Sequence, residues 1–262
     1  MRRLIFVTAV LAALLSGCAG RPAGKPAAEQ PVSQQVATNS AGQRAKVHTE
    51  LGGMYLSQGN LGVALDEARK ALVADANYAP AYSLMGLVRM QLREDGPAEE
   101  SYEHAVRLAP ADPEINNSFG WFLCQTGREQ RSLQYFQAAI KSPLYATPTM
   151  PYTNAGICSL RMKDDKAAED YFIKALRADG ANQRALYFLA DIAYRQGRFS
   201  AARLHLAELH KSAEASAETL WLAVRIERKL GDREAESRFS SQMRRKFPAA
   251  PETQRLMQGL YE

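Results

Sequence analysis

A register of 34 residues runs through most of this chain and limits its fold more than any other feature. Five dipeptides set it: Leu51-Gly52, Met85-Gly86, Phe119-Gly120, Ala155-Gly156 and Leu189-Ala190. Their second members lie 34, 34, 36 and 34 residues apart, and a further 34 reaches Val224, close to Trp221. The same register passes through Ala64, Ala98, Ser132, Ala168, Ala202 and Glu236, and again through Ala71, Ala105, Ala139, Ala175, Leu209 and Met243. Bulky residues form a further ladder, Tyr102, Phe136, Phe172 and Leu206, and Pro110 and Pro248 close two of the repeats. Between the small-residue ladders, a turn site holds Gly59, Arg93, Gly127, Lys163, Gly197 and Gly231. A repeat unit this short cannot bury an apolar face alone, so successive units must stack.

A period of 34 with a small residue in each of two helices resembles the tetratricopeptide repeat (TPR). Each unit is then a helix, a tight turn and a second helix. Gly and Ala let the two helices approach closely while the bulky positions fill the spaces between them. The expected fold is all-α, a right-handed superhelix of about six repeats at 45–78, 79–112, 113–146, 149–182, 183–216 and 217–250. The sixth is degenerate, with Glu236 and Ser240 where Ala and an aromatic are usual. Residues 251–262 are expected to add a short helix that caps this end with Leu256, Leu260 and Tyr261. Two extra residues fall in KSPLYATPTMP, where Pro143, Pro148 and Pro151 forbid a continuous helix. A longer surface loop is the favoured reading there. The other is a joint that divides the solenoid into two halves.

Ahead of the repeats the chain reads MRRLIFVTAVLAALLSGCAG. Arg2 and Arg3 followed by the apolar run Leu4 to Leu15 have the form of an export signal, too short to be a comfortable permanent span. Leu15-Ser16-Gly17-Cys18 resembles the bacterial lipobox, which implies cleavage after residue 17 and lipid on the Cys18 thiol. Several acyl chains would anchor the chain stably. Ala19 follows the cysteine instead of the aspartate that retains such proteins at the inner membrane. The expected location is therefore the periplasmic face of the outer membrane. Residues 18–44 read as the lipidated cysteine and a flexible tether containing Pro22, Pro26 and Pro31. The 26 residues after Cys18 would span roughly 25–30 Å when relaxed. The alternative is that this segment folds against another surface.

The precursor carries a net charge of +5, and removal of Arg2 and Arg3 with residues 1–17 leaves +3. With no basic stripe interleaved with aromatics, nucleic acid is not an expected partner. His48, His104, His205 and His210 form no metal-binding or catalytic spacing, and no HExxH, CxxC or phosphate loop occurs. Neither an enzyme, a metal site, a cofactor other than covalent lipid, nor a small-molecule substrate is expected. Cys124 and Cys158 sit in the first helices of adjacent repeats. A bridge between them is open in an oxidising compartment, but buried free thiols are the favoured reading.

A scaffold for other proteins remains, with two candidate surfaces. The first is a concave stripe along the first helices: Asn117, Trp121 and Gln125; Thr153, Ile157 and Arg161; Tyr187, Asp191, Tyr194 and Arg195; Trp221 and Arg225. Aromatics and arginines commonly anchor interfaces, and an exposed groove of this kind would cradle a peptide or helix. Some of these residues would instead serve packing between repeats. The second is the apolar flank of the first repeat, drawn from Leu51, Tyr55, Leu56, Leu61 and Leu65, which has no preceding repeat to cover it.

The lipobox, polar tether and six repeats together resemble the type IV pilus biogenesis outer-membrane lipoproteins, the pilotin family. NNSFGWFLCQTGR (Asn116 to Arg128) and YTNAGICSLRMKDDKAAEDYFIKALRADG (Tyr152 to Gly180), preceded by Pro143-Leu144-Tyr145, carry the likeness most specifically. Lys163 with Asp164-Asp165 departs from the Gly turn often seen in that family's fourth repeat. The resemblance implies binding of the pilus secretin and help with its outer-membrane localisation and multimerisation. The competing expectation is an adaptor that recruits peptidoglycan enzymes or outer-membrane assembly factors.

Overall fold

The computed structural model describes residues 30–145 and 148–261. The signal segment, Cys18 and the first part of the tether lie outside the described residues. Thirteen α-helices are present among the described residues. Twelve form hairpins: α1 (Ser40–Ser57) with α2 (Leu61–Ala74), α3 (Ala79–Gln91) with α4 (Asp95–Leu108), and α5 (Pro113–Gln125) with α6 (Glu129–Lys141). They continue with α7 (Thr149–Arg161) and α8 (Asp165–Ala178), α9 (Gln183–Arg195) and α10 (Phe199–Ser212), and α11 (Ala217–Leu230) and α12 (Arg233–Lys246). Helix α13 (Pro251–Gln258) closes the far end. The described residues are all-α, a stack of tetratricopeptide-like hairpins.

Local chemistry sets the boundaries. Asp112, Asp164, Asn182 and Asp232 each accept a backbone N–H of the helix they precede, and Ser216 with Thr219 forms a capping box. The turn ladder is explained by one backbone angle. Gly59, Gly127, Gly197 and Gly231 have φ of 75–78°, and Arg93 and Lys163 adopt the same left-handed conformation at 64° and 60°. This geometry ends the first helix and reverses the chain, and it suits glycine best.

Inside each hairpin a small residue on the first helix meets a large one on the second. A Cβ added at Gly86, Gly120 or Gly156 would come within 2.9, 2.9 and 2.6 Å of the rings of Tyr102, Phe136 and Phe172 respectively. The fifth repeat matches Ala190 to Leu206 in one core cluster, and in the sixth Val224 stands opposite Ser240 in register. The degenerate sixth repeat therefore has the larger residue on its first helix and the smaller on its second.

Three expectations need correction. The tether does not extend to residue 44. Helix α1 begins at Ser40, and the turn residues before it are docked on the body. Pro31 is buried, Val32 packs near Ala45, Ala71, Tyr78 and Ala81, and its N–H donates to Asp112 Oδ2 at 2.7 Å. Ser33 Oγ and Gln34 Nε2 donate to the two oxygens of Glu114 at 2.6 and 3.0 Å. Asp112 and Glu114 sit at the start of α5, so the third repeat supplies partners that composition alone could not foresee.

Cys124 and Cys158 are not free thiols: they form a disulfide with a Cα–Cα distance of 5.8 Å. Their register positions differ by two, which offsets the two inserted residues and brings both to the α5–α7 contact.

The proline-rich insertion is a loop, and stacking continues across it. Asn154 Nδ2 donates to Asn117 Oδ1 at 3.0 Å, and Arg161 pairs with Glu129 at 3.1 Å. With the disulfide, these contacts tie the third and fourth repeats together. The third correction, to the first-repeat flank, belongs with the surfaces below.

Candidate partner-binding surfaces

The N-terminal end of the stack shows what a missing neighbour leaves behind. Three positions of the first helix, four and three residues apart, are buried in every later repeat. Ala81, Ile115, Pro151, Ala185 and Thr219 are all buried at the first position, and Val88, Phe122, Cys158, Ile192 and Ile226 at the third. Their equivalents in α1 are Val47 and Met54, 59% and 60% exposed. Leu51, equivalent to the buried Met85 and Phe119, is half-buried between them. Val47, Leu51 and Met54 follow the three- and four-residue spacing of one helical face. They form an apolar stripe with no hairpin stacked on it.

The other flank residues expected from sequence are used elsewhere. Tyr55, Leu56, Leu61 and Leu65 are half-buried against Ala64, Ala68, Leu84, Met85 and Val88. They join the first repeat to the second, because the helix's 3.6-residue turn points them forward along the stack rather than backward. Only Leu51 of the five lies on the open face.

Beside this stripe, Glu67 is buried and accepts from both His48 and Lys70. The hydrogen bond from Lys70, then that from His48, holds its carboxyl below the usual carboxylate range, against the opposing effect of burial. Arg44, His48, Arg69, Lys70, Val73 and Ala74 line a cavity of about 390 Å³ on the same repeat.

The concave stripe is divided between core and surface. Asn117 and Thr153 are buried and structural: Asn117 accepts from Asn154, and Thr153 Oγ1 accepts from Asn182 Nδ2 at 3.0 Å. Trp221 is only 6% exposed because the C-terminal helix covers it and Tyr261 stacks on it, ring centroids 5.8 Å apart. Tyr194 is likewise buried, with the Arg225 guanidinium 4.3 Å from its ring centroid. Trp221 lines no exposed groove, whereas Tyr194 contributes to a cleft with Arg225 and Tyr261. Of the expected capping residues, Leu256 and Tyr261 pack inward while Leu260 stays exposed.

Trp121, Ile157 and Tyr187 are half-buried, and Gln125, Arg161 and Arg195 remain exposed. Arg161 is held by Glu129, and Arg195 by Asp191 and Asp165. Partial burial pushes the Tyr187 hydroxyl up to about 12, so it is a neutral hydrogen-bonding group at any physiological pH. Two features escaped the sequence reading. Arg184 reaches over the Trp121 ring at 5.8 Å, bridging the third and fifth repeats. Arg225 Nε donates to the Tyr261 carbonyl at 3.1 Å, and Tyr194, Arg225, Arg228, Lys229, Gly259 and Tyr261 line an open cleft of about 390 Å³. Neither contact spans a repeat period, so register arithmetic gave no signal for it.

Among the described residues no group of three or more His, Cys, Asp or Glu side chains is placed to hold a metal ion. No described helix is long and apolar enough to cross a membrane.

Family models of the tetratricopeptide repeat match residues 79–112 and 165–217. The type IV pilus assembly protein PilF of Pseudomonas aeruginosa is 28% identical over 207 residues, covering 79% of this chain and 82% of that protein. The solved structure of Pseudomonas aeruginosa PilF superposes with a TM-score of 0.77 at 26% identity, over 84% of this chain and all of that one. The crystal structure of PilW, described as a widely conserved type IV pilus biogenesis factor, gives 0.75 at 28% identity, over 82% and 99%. The chain is a tetratricopeptide-repeat homologue of PilF and PilW.

Proposed function

We propose that this PilF and PilW homologue is an outer-membrane pilotin, anchored by lipid on Cys18, which binds secretin subunits of the type IV pilus and promotes their localisation and multimerisation. The observation that carries the binding part is the stripe Val47, Leu51 and Met54, apolar at positions that every later repeat buries. An amphipathic helix of the secretin laid on this stripe takes the place of the second helix of an absent hairpin. Holding several subunits near one membrane raises their local concentration, which favours ring closure over aggregation. Homology to proteins named for pilus assembly and biogenesis supports the choice of partner.

The test is co-purification from detergent-solubilised envelopes, together with the fraction of secretin found as multimer. Val47→Glu with Met54→Glu should abolish secretin capture and reduce the multimer while leaving the helical content unchanged. Cys18→Ala should leave a chain that a high-salt wash releases from the membrane fraction, where the lipidated parent stays. Capture of cell-wall hydrolases or outer-membrane assembly factors without secretin would replace this reading with the adaptor one.

A further inference from the structure

The two long edges of the solenoid differ in how their cations are used. On the edge where each first helix turns into its second, several arginines are held by acids, often of a neighbouring helix: Arg128 by Glu99, Arg161 by Glu129, Arg198 by Glu169 and Arg228 by Glu236. Arg93, Lys163, Lys166, Lys229 and Arg233 on that edge have no ion-pair partner among the described residues but do not all share one register position. On the opposite edge, where each second helix ends, one register position carries Arg107, Lys141, Arg177, Lys211 and Arg245. All five are exposed, and among the described residues only Lys211 has an ion-pair partner, the exposed Glu208. The carboxylates of this edge are turned to local work. Asp75 and Asp179 accept backbone N–H groups two residues on, Asp112 and Glu114 hold the docked N-terminal segment, and Glu214 pairs with Lys246.

We propose that this edge is a docking surface for an anionic phospholipid bilayer. A helix macrodipole favours a cation in the last turn of one helix, and the ladder repeats that cation in five successive hairpins. In the first repeat the same register position is Val73, 88% exposed and neighboured by Arg44, Arg69 and Lys70 around one cavity. Val36, 84% exposed, lies in the docked segment just ahead of α1. Exposed apolar side chains among cations suit a headgroup boundary, where each cation near an anionic surface adds attraction.

The path of the chain points the same way. Pro31 and Val32 are fixed at the start of α5, on this edge, so the segment leading back to Cys18 leaves from it. The twelve residues 18–29 reach at most about 40 Å even when fully extended, and roughly 20 Å when relaxed. An anchor on so short a lead draws this edge to the bilayer and leaves the concave face directed along it. The placement of the membrane rests on the lipid-anchor reading above; the affinity of the edge for anionic lipid does not.

The test uses the mature chain with Cys18→Ser, which carries no acyl group, sedimented with phosphatidylcholine vesicles with and without phosphatidylglycerol. Binding is expected only with phosphatidylglycerol, and it should weaken as salt rises. Reversing Arg107, Lys141, Arg177 and Arg245 to Glu should weaken it at least tenfold. Reversing Lys163, Lys166, Lys229 and Arg233 on the other edge should change it less than twofold. If the first variant loses helical content, the same four positions changed to Gln keep the comparison. Absence of binding by the parent chain, or equal losses from both edges, would overturn the proposal. The mass of the Cys18 peptide from native envelopes tests the anchor separately.

Discussion

His48 Nδ1 lies 2.6 Å from Glu67 Oε2, and Lys70 Nζ lies 2.6 Å from the other oxygen of the same carboxylate. Glu67 is buried beneath the first repeat, so removing its charge would leave two donors facing a weaker acceptor. Its folded pKa is held below the ordinary 4.5, chiefly by the hydrogen bond from Lys70 and then by that from His48. The stabilisation is therefore complete above about pH 4.5 and is lost as pH falls through the lower folded value. Glu67→Gln should cost about 1.5–3 kcal/mol at pH 7, the range for hydrogen bonds to charged groups. Urea midpoints measured across pH should show the gap between variant and parent closing below pH 4.5. A gap that stays constant would mean that the carboxylate charge contributes nothing.

Gly156 and Phe172 are fitted so closely that a methyl group at residue 156 would come within 2.6 Å of the ring. Gly156→Ala should therefore destabilise by about 1–3 kcal/mol through overpacking, despite alanine's better helix propensity. The fifth repeat shows the remedy, since it matches Ala190 to Leu206. Gly156→Ala combined with Phe172→Leu should recover part of the loss, giving a positive coupling in a double-mutant cycle followed by urea unfolding. Additive losses would show that the pair does not act as a unit.

The repeat register made the helices, their turns and their inner faces legible, because each is a local consequence of small, bulky and left-handed positions recurring at 34. Arg93 and Lys163 were placed at the turn by register alone, although neither residue type announces positive φ. The surfaces were read less well. Tyr55, Leu56, Leu61 and Leu65 are as apolar as Leu51, and only their angular position on the two helices separates the joint with the second repeat from the open stripe. Trp221 is covered through a helix that lies beyond the repeats, and Tyr194 by Arg225 and the apolar residues of the next hairpin. The docking of Val32 on Asp112 links residues 80 positions apart with no periodic relation.

The Cys124–Cys158 disulfide closes a loop of 34 residues across the one junction where the register is interrupted. Loop-closure entropy assigns such a cross-link about 3–4 kcal/mol. Reduction, or Cys124→Ala with Cys158→Ala, should lower the unfolding free energy by up to that amount without altering the helical content of the folded chain. Thiol titration of the denatured, unreduced mature chain should find neither cysteine reactive. Two reactive thiols would mean that the bridge does not form in the native compartment.

Met54 and Leu56 differ by two positions and serve opposite ends of the first hairpin. Met54 is 60% exposed, whereas its register equivalent Val88 is fully buried against the hairpin before it. Leu56 packs into the cluster containing Leu84, Met85 and Val88. Met54→Glu should thus leave the thermal midpoint within about 2 °C of the parent, as expected of a surface change worth at most ~0.5 kcal/mol. Leu56→Glu puts a charge into a half-buried apolar joint and should lower stability by about 1–3 kcal/mol. Circular dichroism melts of the two variants separate the possibilities directly. If Met54→Glu melts as early as Leu56→Glu, the stripe is part of the core, covered by some other portion of this chain, and is not a surface offered to a partner.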